Sequence, residues 1–189
     1  MFNFIKDGNL NEVKRVFQPE NINMRDNEQD TALLKASQNC DATHVVSFLL
    51  ENGANVDDRD FIDQTPLIVA SQHGCKAIVE LLLKAGSNIK HKNQQGETAL
   101  LSAAQEGHVE VVKVLIAAGA DANEPNTDGE TPLQLVRKLR HKKELVDLLV
   151  SAKGISKKRK PRKSRKSKGK FLHLSPKNIY KYKLRLHKQ

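Results

Sequence analysis

A short apolar phrase recurs along this chain: TALLKAS from Thr31, TPLIVAS from Thr65, TALLSAA from Thr98 and TPLQLVR from Thr131. The intervals are 34, 33 and 33 residues. Each phrase is followed by a second apolar segment, in turn VVSFLLENGANV, IVELLLKAGSNI, VVKVLIAAGADA and LVDLLVSAKG. A period of this length constrains the fold more than composition can. One such unit is too small to bury its own apolar face, so the units must stack and share a continuous core.

Within each unit the residues prescribe two helices. The opening threonine suits a helix N-cap, and Pro66 and Pro132 suit the first helical position, where no N–H is needed. Leu33 and Ala36, Leu67 and Ala70, and Leu100 and Ala103 then fall at helical spacing, with alanines small enough for close packing. Gly74 and Gly107 are expected to end the first helix. The second helix carries the pairs Leu49/Leu50, Leu82/Leu83 and Leu115/Ile116, and Gly53, Gly86 and Gly119 supply left-handed C-terminal caps. Thr31 and Leu49 lie 18 positions apart, as do Thr131 and Leu149, against 17 for Thr65 and Leu82. The extra residue is expected in the helix–helix turn of units two and five.

The stretch NQQGETALLSAAQEGHVEVVKVLIAAGADAN resembles the ankyrin repeat almost throughout, and the likeness holds at four registers over about 150 residues. It implies an all-α repeat solenoid of stacked hairpin–helix–helix units, at 1–26, 27–59, 60–92, 93–125 and 126–152; composition adds a basic, disordered tail at 153–189. The first unit, FIKDGNLNEVKRVF, lacks the opening Thr-Pro-Leu but keeps the glycine and the second helix. The last unit puts Gln134, Arg137 and Lys138 where inner units are apolar or small. Both read as caps, because a stacked array otherwise ends in an exposed core face. The histidine that follows Thr-Pro-Leu in the family is replaced by Leu34, Ile68, Leu101 and Gln134, which takes away a side chain that bonds neighbouring loops.

The same resemblance implies a protein partner on the hairpin fingertips and the exposed face of the first helices. Carried over by position, the fingertip residues are Asn27, Glu28 and Asp30; Phe61, Ile62 and Gln64; Gln94, Gln95 and Glu97; and Thr127, Asp128 and Glu130. The inner-helix positions are Gln38, Asn39, Gln72, His73, Gln105, Glu106 and Lys138. The equivalents of Phe61 and Ile62 in the other units are polar. Either the pair packs on a neighbouring finger or it is an interface anchor, of the kind that apolar residues ringed by polar ones often make. The acidic fingertip residues read as a solvated face, or as a row that selects a basic partner.

Charge is divided unevenly. Residues 153–189 hold sixteen Lys/Arg and no acid, leaving sixteen basic against 22 acidic residues in 1–152. The run that includes Lys157, Lys158, Arg159, Lys160, Arg162, Lys163, Arg165 and Lys166 has too little apolar surface to order itself. It fits a nuclear import receptor or RNA and DNA phosphates, and less well an anionic membrane surface or a merely solubilising role. A fold-back onto the acidic fingers is a further reading. Tyr180 to His187 alternates apolar and basic residues, a strand signal.

Other classes are excluded or disfavoured. No Gly-rich phosphate loop, GxSxG or HExxH occurs, and the seven histidines are scattered, so neither an enzyme nor a cofactor or metal centre is expected. Cys40 and Cys75 form no CxxC pair and no zinc spacing, so they are expected as reduced thiols in an intracellular protein, nuclear or cytoplasmic in a eukaryotic cell. MFNFIKDGNL does not read as a signal peptide, no apolar run reaches membrane-spanning length, and a monomer is expected.

Overall fold

Threonine starts the inner helices in the computed structural model of the chain, which describes residue 5, residues 8–138 and residues 143–158, with 153–158 described by backbone alone. Thr31, Thr65 and Thr98 are extended, and their hydroxyls accept from the N–H of Leu34, Ile68 and Leu101 at 3.5, 3.4 and 3.3 Å. Each bond satisfies an amide that the first helical turn leaves without a partner. Thr131 is served differently. Gln134 reaches back, and its Oε1 accepts from the Thr131 N–H at 2.8 Å and from its hydroxyl at 2.9 Å, the return half of a capping box.

The helices are α1 (Leu10–Val16), α2 (Ala32–Ala36), α3 (Thr43–Glu51), α4 (Pro66–Gln72), α5 (Lys76–Lys84), α6 (Ala99–Gln105), α7 (Val109–Ala117), α8 (Pro132–Lys138) and α9 (Lys143–Lys158). Among the described residues there is no strand, and Arg25 and Thr31 form one isolated antiparallel bridge. Helices α2, α4, α6 and α8 neighbour one another in an inner row, while α1, α3, α5, α7 and α9 make an outer row. This is the all-α repeat solenoid that the period requires.

The core lies between the two rows. Leu33, Leu67, Leu100 and the alanines three positions on are buried, together with Val45, Val46 and Leu49 of α3 and the matching Ile78, Val79, Leu82 and Val111, Val112, Leu115 of α5 and α7. Only the first residue of each outer-helix pair is fully inside; Leu50, Leu83 and Ile116 are half-buried. Leu34, Ile68 and Leu101, standing where the family has histidine, are buried as well. Glycine provides the turns: Gly74 and Gly107 at φ +73° and +78° end α4 and α6. A Cβ at Gly74 would lie 2.6 Å from the His108 ring, so this glycine also admits a close approach from the next turn.

Two expectations need correction. Helix α9 continues to Lys158, past the boundary set at 152, because a single interior glycine, Gly154, costs a helix only about 1 kcal/mol. Cys40 and Cys75 are joined in a disulfide with their Cα atoms 4.6 Å apart, not separate thiols. Their separation of 35 residues is close to one period, which sets them in neighbouring turns. The extra residue of unit two falls between its two helices, as expected: α2 spans five residues where α4 and α6 span seven, and a 3-10 turn, Cys40–Ala42, leads into α3. The insertion expected in unit five falls where 139–142 lie outside the described residues.

The described residues belong to one compact unit, Met1–Arg159. Lys157 and Lys158 end the backbone of α9, whereas Arg159, Lys160, Arg162, Lys163, Arg165, Lys166 and the alternating end segment lie outside the described residues. No helix among the described residues is long and apolar enough to cross a membrane.

Candidate functional site

One side chain builds each finger. Asp26, Asp60, Asn93 and Asn126 recur at the same intervals as the threonines, 34, 33 and 33. Each Oδ1 accepts two backbone N–H groups, from the residues two and four positions on: Glu28 and Asp30, Ile62 and Gln64, Gln95 and Glu97, Asp128 and Glu130, at 2.8–3.1 Å. The backbone closes the same loop by a bond from the N–H of the first residue to the carbonyl of the fifth, at 2.9–3.1 Å. The fourth position must then turn left-handed. It is Gly96 and Gly129 in two fingers, but Gln29 (φ 65°) and Asp63 (φ 62°) in the others.

The fingers are tied to each other. The Gln94 backbone N–H donates to the Ile62 carbonyl at 3.1 Å, and its side-chain amide donates to the Phe61 carbonyl at 3.0 Å. Thr127 donates its N–H and hydroxyl to the Gln95 carbonyl at 3.0 and 2.9 Å. Arg25 donates to the carbonyls of Gln29 and Arg59 and pairs with Asp58. These bonds link each finger to the next.

On this fixed backbone the side chains diverge. Phe61 is 74% exposed, the most open of the large apolar residues described, and Ile62 beside it is half-buried. Phe61 does not pack away on a neighbouring finger; only its carbonyl is engaged. Asn27, Glu28, Gln94, Gln95 and Asp128 are exposed, while Gln64, Glu97 and Glu130 are half-buried. On the inner helices Gln72, His73 and Glu106 are exposed and Gln105 is half-buried. The Gln64 amide donates to Gln72 Oε1 at 3.5 Å, linking the second finger to the end of α4.

Asp30 departs from expectation, because it is buried rather than presented. Lys35, only 4% exposed, places its ammonium 2.9 Å from Asp30 and 3.5 Å from Asp26, and pairs also with Glu28. The three carboxylates could in principle hold a cation, and the chain's own lysine supplies it. Burial opposes the charge on Lys35, yet the hydrogen bonds to Glu28 and Asp30 and the field of Asp26 outweigh it and raise its pKa above 10.5. For Asp26, burial is again opposed, by the N–H groups of Asp30 and Glu28 and by Lys35, and its pKa falls below 3.8. Lys35 holds the register of Val69, Ser102 and Leu135, all buried. A cation at a core position four residues after the capping threonine was the readable signal.

The acidic row is therefore partly used by the protein. Glu28 pairs with Lys35, Glu130 with Lys138, and Asp63 with Arg59 at 3.8 Å. Glu97, Glu106 and Asp128 lie outside those pairs, and Asn93 donates to Glu97 at 3.1 Å.

Two rows of helices with a line of tied fingers define a stacked helical-repeat protein, which recognises with an extended surface. A model for ankyrin repeats (3 copies) matches residues 1–93 and 77–161, and the chain belongs to the ankyrin repeat family. Ankyrin repeats are generally non-enzymatic protein–protein interaction modules and indicate a protein partner of some kind. Among curated proteins, no relative matches the chain.

Proposed function

We propose that the chain binds a polypeptide across the fingertips and the exposed ends of the inner helices, with Phe61 as the apolar anchor. The observation that carries this reading is the 74% exposure of Phe61 on a finger whose backbone is held by Asp60 from within and by Gln94 of the next finger. An aromatic ring on a rigid support loses little freedom on binding, which is what makes such residues strong contributors to interfaces. Around it, Ile62 and Gln64 on the same finger, Gln72 and His73 at the end of α4, and Gln94 and Gln95 on the next finger offer apolar contact and hydrogen bonds. Glu97, Glu106 and Asp128 favour a partner segment with basic residues. The test is capture by the wild-type chain, by Phe61→Ala and by Phe61→Ala with Ile62→Ala. A partner retained by the first and lost from both variants, at nearly unchanged melting temperature, supports the reading. Loss of binding together with a large fall in melting temperature would instead make the pair structural.

A second reading is carried by composition. Sixteen Lys/Arg without an acid in 153–189 fit a segment that binds a polyanion or a nuclear import receptor, with Lys157, Lys158, Arg159, Lys160, Arg162, Lys163, Arg165 and Lys166 as its densest run. Filter binding to RNA and DNA at two salt concentrations, with and without 159–189, tests the nucleic-acid form. Binding that needs the segment and weakens steeply with salt supports it; retention after truncation sinks it.

A further inference from the structure

The disulfide lies where the repeat is irregular. In the α4–α5 and α6–α7 turns the chain closes alike: a glycine with positive φ, then the N-cap of the outer helix, whose N–H donates to Ala70 or Ala103 at 2.9 Å. Those N-caps are Cys75 and His108, one period apart. At the α2–α3 turn the residue just before the outer-helix N-cap, Ala42, is Asp41, so the glycine is absent. Helix α2 stops early, and the chain passes through the 3-10 turn Cys40–Ala42, capped by Asn39.

A covalent bond spans this junction. The N-cap His108 reaches back one repeat by a hydrogen bond, with Nε2 3.0 Å from the Gln72 carbonyl. The N-cap Cys75 reaches back one repeat by its bond to Cys40. Both sulfurs lie against the His73 carbonyl oxygen, at 3.6 and 3.9 Å, beside Gln72 at the end of α4. The two cysteines differ in access: Cys40 is exposed and Cys75 is buried.

We propose that Cys40–Cys75 is a reversible thiol–disulfide switch that locks the α2–α3 turn to the end of α4 when oxidised and releases it when reduced. A low-molecular-weight thiol is the reductant. Its thiolate attacks the accessible Cys40 sulfur, the bond between the two cysteines breaks, and Cys75 leaves as a thiolate that takes up a proton. A second thiol then attacks the mixed disulfide, freeing Cys40 as a thiol and leaving the small molecule as its own disulfide. Two reductant thiols are thus oxidised for each bond reduced, and the small-molecule disulfide drives the reverse. With the bond open, the glycine-less turn keeps only its hydrogen bonds, and residues 37–44 and 72–76 gain freedom.

The test uses the full chain equilibrated with either oxidised or reduced glutathione. Alkylation and mass measurement should find no reactive thiol in the first state and two in the second, with the mixed disulfide trapped on Cys40. Hydrogen exchange of residues 37–44 should speed by about tenfold on reduction, as local opening rises, while 98–117 stays unchanged. Cys40→Ser should reproduce the reduced exchange pattern in either buffer. Two alkylated cysteines after oxidised glutathione, trapping on Cys75, equal exchange in the two states, or a Cys40→Ser chain that exchanges like the oxidised protein would each overturn the switch. These readouts require no partner, so they stand apart from the outcome at Phe61.

Discussion

The fingers at 26–30 and 60–64 share one backbone and differ in what they do with it. In both, an aspartate accepts the N–H groups two and four residues on, and a residue other than glycine turns left-handed at the fourth position. The first finger then turns the charges of Asp26 and Asp30 inward onto the buried Lys35, with which the exposed Glu28 also pairs. The second has Val69 in the register of Lys35 and presents Phe61 to solvent. The comparison teaches that one Asx side chain fixes the finger, leaving the remaining residues to supply either internal stability or an external surface.

The largest effect separating the two should come from Lys35→Met. Removing one partner strands Asp26 and Asp30 in a buried site, and the expected loss is about 3 kcal/mol in urea unfolding. Acid should shrink the difference. Because the Asp26 pKa is lowered in the folded chain, its contribution is present above the ordinary value of 3.8 and is lost as pH falls through the lower folded value. Lys35, with a raised pKa, contributes fully below 10.5 and fades only at higher pH, so it adds no slope near neutrality. The unfolding midpoint of the wild type should drop between pH 5 and 3 by more than that of Lys35→Met, where these pH values bracket the ordinary carboxylate range, about 4. Equal slopes would show that the first finger is not held by its charges.

Next in size is removal of the organiser itself. Asp60→Ala or Asn93→Ala leaves two N–H groups without their acceptor, at a cost of about 1–2 kcal/mol each. Parallel losses at the two sites would confirm that the fingers are one device. A loss at Asn93 alone would mean that the second finger is held chiefly by its neighbours.

Much of this architecture was legible in the sequence because the period encodes it redundantly. Thr31, Thr65 and Thr98, the paired leucines and the turn glycines each specify the same helices. The acceptors Asp26, Asp60, Asn93 and Asn126 carry the same intervals, but polar residues in a loop give no apolar pattern to count. Lys35 stands at a core register, and the acids that neutralise it precede it in a different element. Cys40 and Cys75 fit no metal or redox spacing, and the distance that pairs them, 35 residues, is close to the repeat itself. At the site, polarity of the equivalents was enough to expose Phe61, but it could not reveal that Asp30 is enclosed or that Gln94 clamps the Phe61 carbonyl. Those depend on which finger lies next to which.

A smaller effect is expected at the surface. Phe61→Ala should alter unfolding stability by no more than about 0.5 kcal/mol, since little of the ring leaves water on folding. A loss several times larger, measured by urea titration, would place the ring in the core and erase the contrast between the fingers.

The smallest effect tests the left-handed corner that both fingers share. Gln29 and Asp63 hold φ of 65° and 62°, where the other two fingers have Gly96 and Gly129. A side chain in this region costs about 1–2 kcal/mol, less for aspartate, whose short polar group bonds locally. Glycine removes that cost but adds unfolded-state entropy worth about 0.5–1 kcal/mol. Gln29→Gly should therefore gain about 0.5 kcal/mol. Asp63→Gly should gain nothing or lose slightly, because it also gives up the contact with Arg59. If Asp63→Gly instead gains as much as Gln29→Gly, the corner in the second finger is as strained as in the first. The two fingers would then differ only in their side chains, which would sharpen the comparison further.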